Sequence, residues 1–475
     1  MKKPQTLEEK YYLFGEAPVF RALMTLAIPT VLSQLVTMIY NMADTFFVGK
    51  SNDPLKVAAV SSTYVVLFFM NAIANLFGIG GGSLISRLLG QRREDEARRV
   101  SAFSFVGSVV FGALYIGIVM LFEDAILYFL GATGNTIGFC REYVKYVVLF
   151  GGLPTVVSLT LSHLLRNEGR ANEASFGLAF GGILNMLLDP LFMFVILPKG
   201  QEVQGAAVAT ALSNTCSLVY FLYVVRKNRA ESVLSLRPNE GMPERASIRS
   251  VFAVGLPSMI ATGMAAFSNM YMTHLAKACG ATTGVVGDED VYVAAVGLVK
   301  KVDMLPMNTG MGLCQGMIPL VAYNYASGNY KRMKQFMRAA RYTGIAFALL
   351  CVASFEIFSE PIMRFFIDEG RTVSLAARLL RFAVIATPTT VTAFQLNYSF
   401  QAIGHGMESL LFAIFRQGLF NIPLMILFSR FWSADGIMIA QFVSDIFTLI
   451  LSFALWHYRV EKKLPKPDAA QAAGN

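Results

Sequence analysis

Charge is scarce in this sequence. Only 15% of its 475 residues are Asp, Glu, Lys or Arg and 55% fall in the hydrophobic set, whereas a soluble domain carries roughly 25% charged residues. This excludes a soluble globular protein and leaves no stretch long enough for a large soluble domain. Cysteine is also sparse. Cys140, Cys216, Cys279, Cys314 and Cys351 are odd in number, irregularly spaced and set mostly in apolar surroundings, which argues against a disulfide frame or a metal site and for packing roles. The four histidines, His163, His274, His405 and His457, are scattered without ligand spacing or a nucleophile beside them. No GxxxxGKS/T loop occurs, and GIGGGS at 78–83 lacks the spacing of a dinucleotide turn, so nucleotide-driven chemistry is not expected. Those glycines suit close helix contact instead. No catalytic set is visible, and neither enzymatic activity nor a cofactor is expected. The first twenty residues lack the short apolar core and small-residue cleavage site of a removable signal, so the first span itself is expected to direct insertion.

What is present is a series of apolar runs about twenty residues long, the length that crosses a bilayer as a helix. Spans are expected near 22–48, 57–86, 100–122, 144–164, 175–197, 205–225, 251–276, 291–323, 341–359, 382–402, 409–429 and 435–457. Twelve spans place both termini on one side. With that side taken as inner, 26 of the 40 Lys and Arg residues fall in inner segments and 11 in outer ones, so both termini are expected in the cytoplasm. The net charge of +9 then reads as a topology signal and a lipid-headgroup attraction, with no nucleic-acid partner. Short loops point to a prokaryotic inner (plasma) membrane.

The polar stretch 226–250 is the one segment that reads as a linker between large parts. It divides the chain into an inner segment 1–20, a first lobe 21–225, the linker, a second lobe 251–458 and a tail 459–475. The lobes repeat each other. AIPTVLSQLVTMIYNMADT (27–45) aligns with GLPSMIATGMAAFSNMYMT (255–273), placing Pro29 on Pro257 and Asn41 on Asn269. GLPTVVSLTLSHLLRNEGRANE (152–173) resembles ATPTTVTAFQLNYSFQAIGHGMES (386–409), with Gly169 against Gly404 after a one-residue slip. Weak internal symmetry of this kind marks transporters built from related halves around a central site. Six spans per half give both halves the same orientation.

An ionisable residue at membrane depth costs about 2.5–3.5 kcal/mol on insertion scales, so each one needs a reason. Asp44 lies roughly 34 Å along a helix from Arg21, in the outer half of the first span. In span five, Asn185 and Asp189 are four residues apart and share a helix face, at comparable depth to Thr210 in span six. Two carboxylates, an amide and a hydroxyl are the chemistry of a small-cation site. Oxygen ligands suit Na⁺, and a carboxylate in low dielectric beside another can carry H⁺ near neutral pH. Pro190 frees the carbonyl of Met186 and Pro29 that of Thr25, so both helices can bend near these groups. The structural alternatives are a helix end reaching outer water for Asp44 and a polar packing clamp for Asn185, Asp189 and Thr210.

The second half keeps the fold symmetry but not the acids, since Met272 stands against Asp44 and Met425 against Asp189. It has its own charges. Lys300 and Asp303, three apart in span eight, can pair on one face, and Arg416 lies within span eleven. They are either a packing device or a second polar site for substrate or proton, with Asp303 its candidate acid. Aromatic and Met side chains including Tyr40, Phe46, Phe68, Met70, Phe267 and Met304 either pack or line a cavity for flat lipophilic cations.

Taken jointly, IPTVLSQLVTMIYNMADTFFVG, GGSLISRLLGQ, ILNMLLDPLF and GAAVATALS resemble the multidrug and toxic compound extrusion (MATE) transporters over residues 20–458. The resemblance implies two six-helix lobes in a V around a central cavity, a monomer in membrane lipid exporting small-molecule organic cations or lipophilic drugs in exchange for H⁺ or Na⁺. Residue by residue, Asp44, Asn185, Asp189 and Thr210 match that family's first-lobe ion site, Tyr40 a tyrosine beside it, and Pro29 the proline about which the first helix is proposed to bend. The seventh and tenth spans lack the acids of NorM-type members, so the chain resembles the DinF-like branch. A lipid-linked precursor flippase of the same superfamily is the alternative transporter reading, and a receptor or scaffold the non-transporting one.

Overall fold

The computed structural model describes residues 6–50, 54–130 and 134–465. The inner segment's first five residues and the tail beyond Pro465, with Lys2, Lys3 and Lys466, lie outside the described residues. Helix dominates because long apolar runs in a bilayer must satisfy every backbone group within the segment. A short helix α1 (Leu7–Gly15) precedes the first span and is closed by a capping box between Thr6 and Glu9. The first lobe follows as α2 (Val19–Gly49), α3 (Pro54–Gly90), α4 (Glu94–Leu121), α5 (Glu123–Phe129), α6 (Ile137–Val144), α7 (Gly152–Asn167), α8 (Ala171–Leu191) and α9 (Glu202–Lys227). The second comprises α10 (Arg245–Ala281), α11 (Asp288–Ala326), α12 (Tyr330–Arg364), α13 (Gly370–Ile385), α14 (Thr387–Ile403), α15 (Gly406–Ala413) and α16 (Asn421–Leu455).

Among the described residues, eight helices are long and apolar enough to cross a membrane, and two bent pairs bring the number to ten. The remaining two spans have physical explanations. α11 is 39 residues long but carries Lys300, Lys301 and Asp303 in its middle. The apolar stretch Gly406–Lys463 is two spans, separated where Trp432 and Ser433 leave the helical conformation, Ser433 at φ +53°. Twelve spans result.

The sequence repeat is visible as a shared shape. α6 and α7 meet at a 50° bend and α13 and α14 at 46°, each just ahead of a proline, Pro154 and Pro388, that removes a helical donor. The aligned Gly169 and Gly404 both sit at left-handed φ, +99° and +88°, where a side chain would be strained. Each also seats a neighbour. A Cβ would come 2.9 Å from the Phe14 ring at Gly169 and 2.3 Å from Arg87 Nη1 at Gly404.

Among the described residues, the lobes share one hydrophobic core, at the end that carries the starts of α2 and α10 and the ends of α3 and α11. There Leu23, Leu26, Leu84 and Leu88 pack with Met317, Leu320 and Phe400. Small residues make this possible: a Cβ on Gly316 would lie 2.6 Å from Ala27 Cα in α2, and one on Gly80 2.4 Å from the Val251 carbonyl in α10. Cross-lobe hydrogen bonds join Asn75 to Thr262 (3.0 Å), Arg87 to Ser250 (3.0 Å) and Arg166 to Gln315 (2.9 Å). Towards the opposite end each lobe has separate cores, Met272, Val299, Leu379, Met425 and Ile437 in one, Val66, Val119, Val148 and Met70 in the other. The molecule is a V, closed at its basic end and parted at the other.

Candidate functional site

The first-lobe site is assembled by α2, α8 and α9. Gly182 lets α8 approach α2 so closely that a Cβ there would touch the Tyr40 ring at 3.0 Å. One turn beyond Tyr40 on α2 is Asp44. Asn185 and Asp189 are both buried on α8, and the Asn185 amide donates to Asp189 Oδ1 (3.1 Å) and to Thr210 Oγ1 on α9 (3.4 Å). The Asp44 and Asp189 carboxylates are near enough to feel each other's charge. Asp44 Oδ1, Asp189 Oδ2 and Asn185 Oδ1 are buried yet accept no hydrogen bond from the protein. Three buried oxygens without donors are costly as they stand and match what a proton or a hard cation requires. All four residues singled out from the sequence, with Tyr40 beside them, therefore meet in one place.

One turn further out, α2, the π-helical stretch Phe192–Ile196 that follows α8, and α9 place Val48, Met193 and Ala206, which form a small buried cluster with Phe47 and Val60 at its edge. It caps the polar set on its outer side. Pro190, which has no N–H for the Met186 carbonyl, lies just before that π-helical stretch, so this end of α8 departs from regular helix. Pro29 sits inside α2, whose backbone continues as one helix from Val19 to Gly49.

The second-lobe charges are organised differently. Lys300 does not pair with Asp303, as the i,i+3 spacing suggests; its ammonium donates to Gln441 on α16 (3.2 Å). Asp303 faces a pocket with Lys300, Met307, Ala386, Met438 and Gln441 that has room for about one water. Arg416, in a π-helical stretch at Ile414–Leu419, forms a buried two-point pair with Asp445 (Nε to Oδ1 2.8 Å, Nη2 to Oδ2 3.4 Å). Thr390 Oγ1 also donates to Asp445, and the guanidinium lies 4.7 Å over the Phe394 ring. Asp445, Thr390 and Gln441 escaped sequence reasoning. Asp445 was within its reach, since it is an acid about as deep in span twelve as Arg416 is in span eleven. Met70, a candidate cavity lining, is fully buried in the first-lobe core, because its face of α3 turns toward α7. Among the described residues no group of three or more His, Cys, Asp or Glu could hold a metal, and all five cysteines are free thiols.

Comparison with known proteins gives the frame for these sites. The MatE family profile matches residues 29–191 and 248–427, one segment in each lobe. The chain is 28% identical over 444 residues to the multidrug export protein MepA of Staphylococcus aureus (strain MRSA252), covering 92% of this chain and 93% of that protein. It is 26% identical over 454 residues to MepA of Staphylococcus saprophyticus, covering 94% and 96%. In fold it resembles a multidrug resistance MATE family transporter of the MOP superfamily in its outward-facing conformation, with a TM-score of 0.88 at 23% identity over 97% of this chain and 99% of that one. A crystal structure of MATE in the straight conformation gives 0.88 at 23% identity over 96% and 99%. With both lobes matched, twelve spans and this fold, the chain belongs to the MatE family of multi-pass membrane transporters.

Proposed function

We propose that this transporter exports structurally varied lipophilic and cationic compounds in exchange for H⁺ or Na⁺, by alternating access. The observation that carries the reading is the first-lobe cluster. Asp44 and Asp189 share a site with Asn185 and Thr210 in which three buried oxygens lack donors, and among the described residues no Lys or Arg is paired with either acid. The multidrug export relatives support the substrate class, and the acid-free α10 and α14 support a DinF-like arrangement with one coupling site in the first lobe. The excess of cations at the closed end supports cytoplasmic termini, and hence a V open to the outside.

In this reading, an ion arriving from outside neutralises the acids, relieves their mutual repulsion and allows α2 and α8 to close together. Pro190 and its π-helical stretch give α8 slack for that movement, with Pro29 doing so for α2. Closure takes the binding surface away from the drug, which leaves. On the inner side the ion departs, the acids recharge, and drug binds again. The test is ethidium efflux from proteoliposomes under separately imposed pH and Na⁺ gradients, for wild type and Asp44→Asn. Efflux driven by one gradient and lost in the variant supports the coupling role and identifies the ion. Identical, gradient-independent behaviour of both proteins overturns it.

One observation favours the second reading, flipping of a lipid-linked anion. Arg166 is 2% exposed at the lobe interface, and its Nε and Nη2 have no protein acceptor, a donor set suited to a phosphate. Gradient-independent scrambling of a pyrophosphate lipid in the same liposomes would move that reading forward.

A further inference from the structure

The closed end carries an element that the exchange cycle above does not use. α1 lies outside the membrane spans, yet Tyr11, Leu13 and Phe14 are buried, and it touches both lobes. Its two holds differ in kind.

The hold on the first lobe is ionic and dry. Lys10 and Glu168 are 1% and 0% exposed and pair at 2.8 Å. The same ammonium donates to the Glu231 carbonyl (3.0 Å), and Glu168 also accepts from Ser232 Oγ (2.9 Å) and the Val233 amide (2.8 Å). Burial pushes the Lys10 ammonium down from the ordinary lysine range, with Glu168 opposing it, so exposing this pair separately would strand a buried charge. Tyr11 adds a bond to Glu94, and the Arg92 guanidinium stacks 3.4 Å over its ring. Arg92 is held at φ +60°, an uncommon conformation for a residue with a side chain. Phe14 rests on Gly169, where a Cβ would lie 2.9 Å from the ring.

The hold on the second lobe is made of hydrogen bonds to backbone carbonyls, from the buried amide of Asn324 and the half-buried, cationic guanidinium of Arg332. The last carbonyls of a helix have no partner within it and carry the negative end of its dipole. Here Asn324 Nδ2 of α11 donates to the Phe14 carbonyl (2.9 Å), Arg332 Nε of α12 to the same carbonyl (3.0 Å), and Arg332 Nη2 to the Ala17 carbonyl. Tyr323 stacks edge-on against Phe14, 5.4 Å between centroids. Water can replace bonds to carbonyls at low cost, which it cannot do for a buried charge pair.

We infer that α1 is a latch on the closed end: it stays with the first lobe through Lys10–Glu168 and fastens the second lobe through Arg332 and Asn324, so opening at this end proceeds by release of the Phe14 and Ala17 carbonyls. The inference rests on the alternating-access reading, but its test does not require transport. Spin labels at Gln91 and Ser327, exposed turns at this end in the first and second lobes, read the separation of the lobes in the full-length protein without drug or gradient. The double variant Arg332→Gln/Asn324→Ala is expected to enlarge the long-distance population at the expense of the short one. Arg332→Lys keeps the charge but replaces the two-point fork by a single donor; it gives an intermediate shift and carries the test should the double variant not fold. Distributions unchanged in folded variants overturn the latch. A shift accompanied by failure of gradient-driven efflux in the wild type overturns the exchange reading and leaves the latch standing.

Discussion

A carboxylate inside a bilayer persists only where something compensates it, and the two lobes do this in opposite ways. Asp445 is matched by Arg416 and Thr390; among the described residues Asp44 and Asp189 have an amide and a hydroxyl near them and no ion-pair partner. The difference predicts two kinds of variant. Asp445→Asn strands the Arg416 guanidinium and costs about 3–5 kcal/mol, whereas Arg416→Met/Asp445→Leu recovers most of it; thermal unfolding in detergent reads both. Asp189→Asn removes a repulsion and leaves unfolding unchanged or later, while gradient-driven efflux is lost. The first-lobe acids were legible in the sequence because each interrupts an apolar run at a depth that can be counted. Asp445 interrupts span twelve in the same way, but its pairing with Arg416, 29 residues away, depends on how the helices pack and could not be counted along one span. For Lys300 the local spacing pointed to Asp303, and a tertiary contact with Gln441, 141 residues on, prevailed.

At the scale of elements, tight helix contacts decide where the molecule is rigid. Gly316→Leu forces α11 away from α2 and, as overpacking of a close contact, is expected to cost about 1–3 kcal/mol. Its signature is a lower unfolding temperature together with a longer distance between labels at Gln91 and Ser327. Gly169→Ala meets both a left-handed backbone, about 1–2 kcal/mol, and the Phe14 ring, so it loosens α1 as well. The twelve spans, the halves and the paired glycines could be read from apolar length and repetition. The π-helical stretches could not, because an i→i+5 turn leaves no period in the composition. The linker 226–250 reads as polar chain, yet Val233 and Leu234 are buried and Ser235 bonds to Ser101; a few apolar residues among charges are a weak signal until a surface exists to receive them.

For the molecule as a whole, the account makes ion and drug mutually exclusive occupants of two conformations of one V. By linkage, whatever factor the ion imposes on drug affinity the drug imposes on ion affinity, and that factor has to pass through Asp44. The most direct measurement is equilibrium binding of ethidium to the purified protein across a series of pH values at fixed Na⁺, and of Na⁺ concentrations at fixed pH, for wild type and Asp44→Asn. The account predicts that drug affinity in the wild type falls as one of the two ions is raised, and that Asp44→Asn binds drug with no dependence on that ion. Wild-type affinity indifferent to both ions, or an ion dependence that survives in Asp44→Asn, would contradict it.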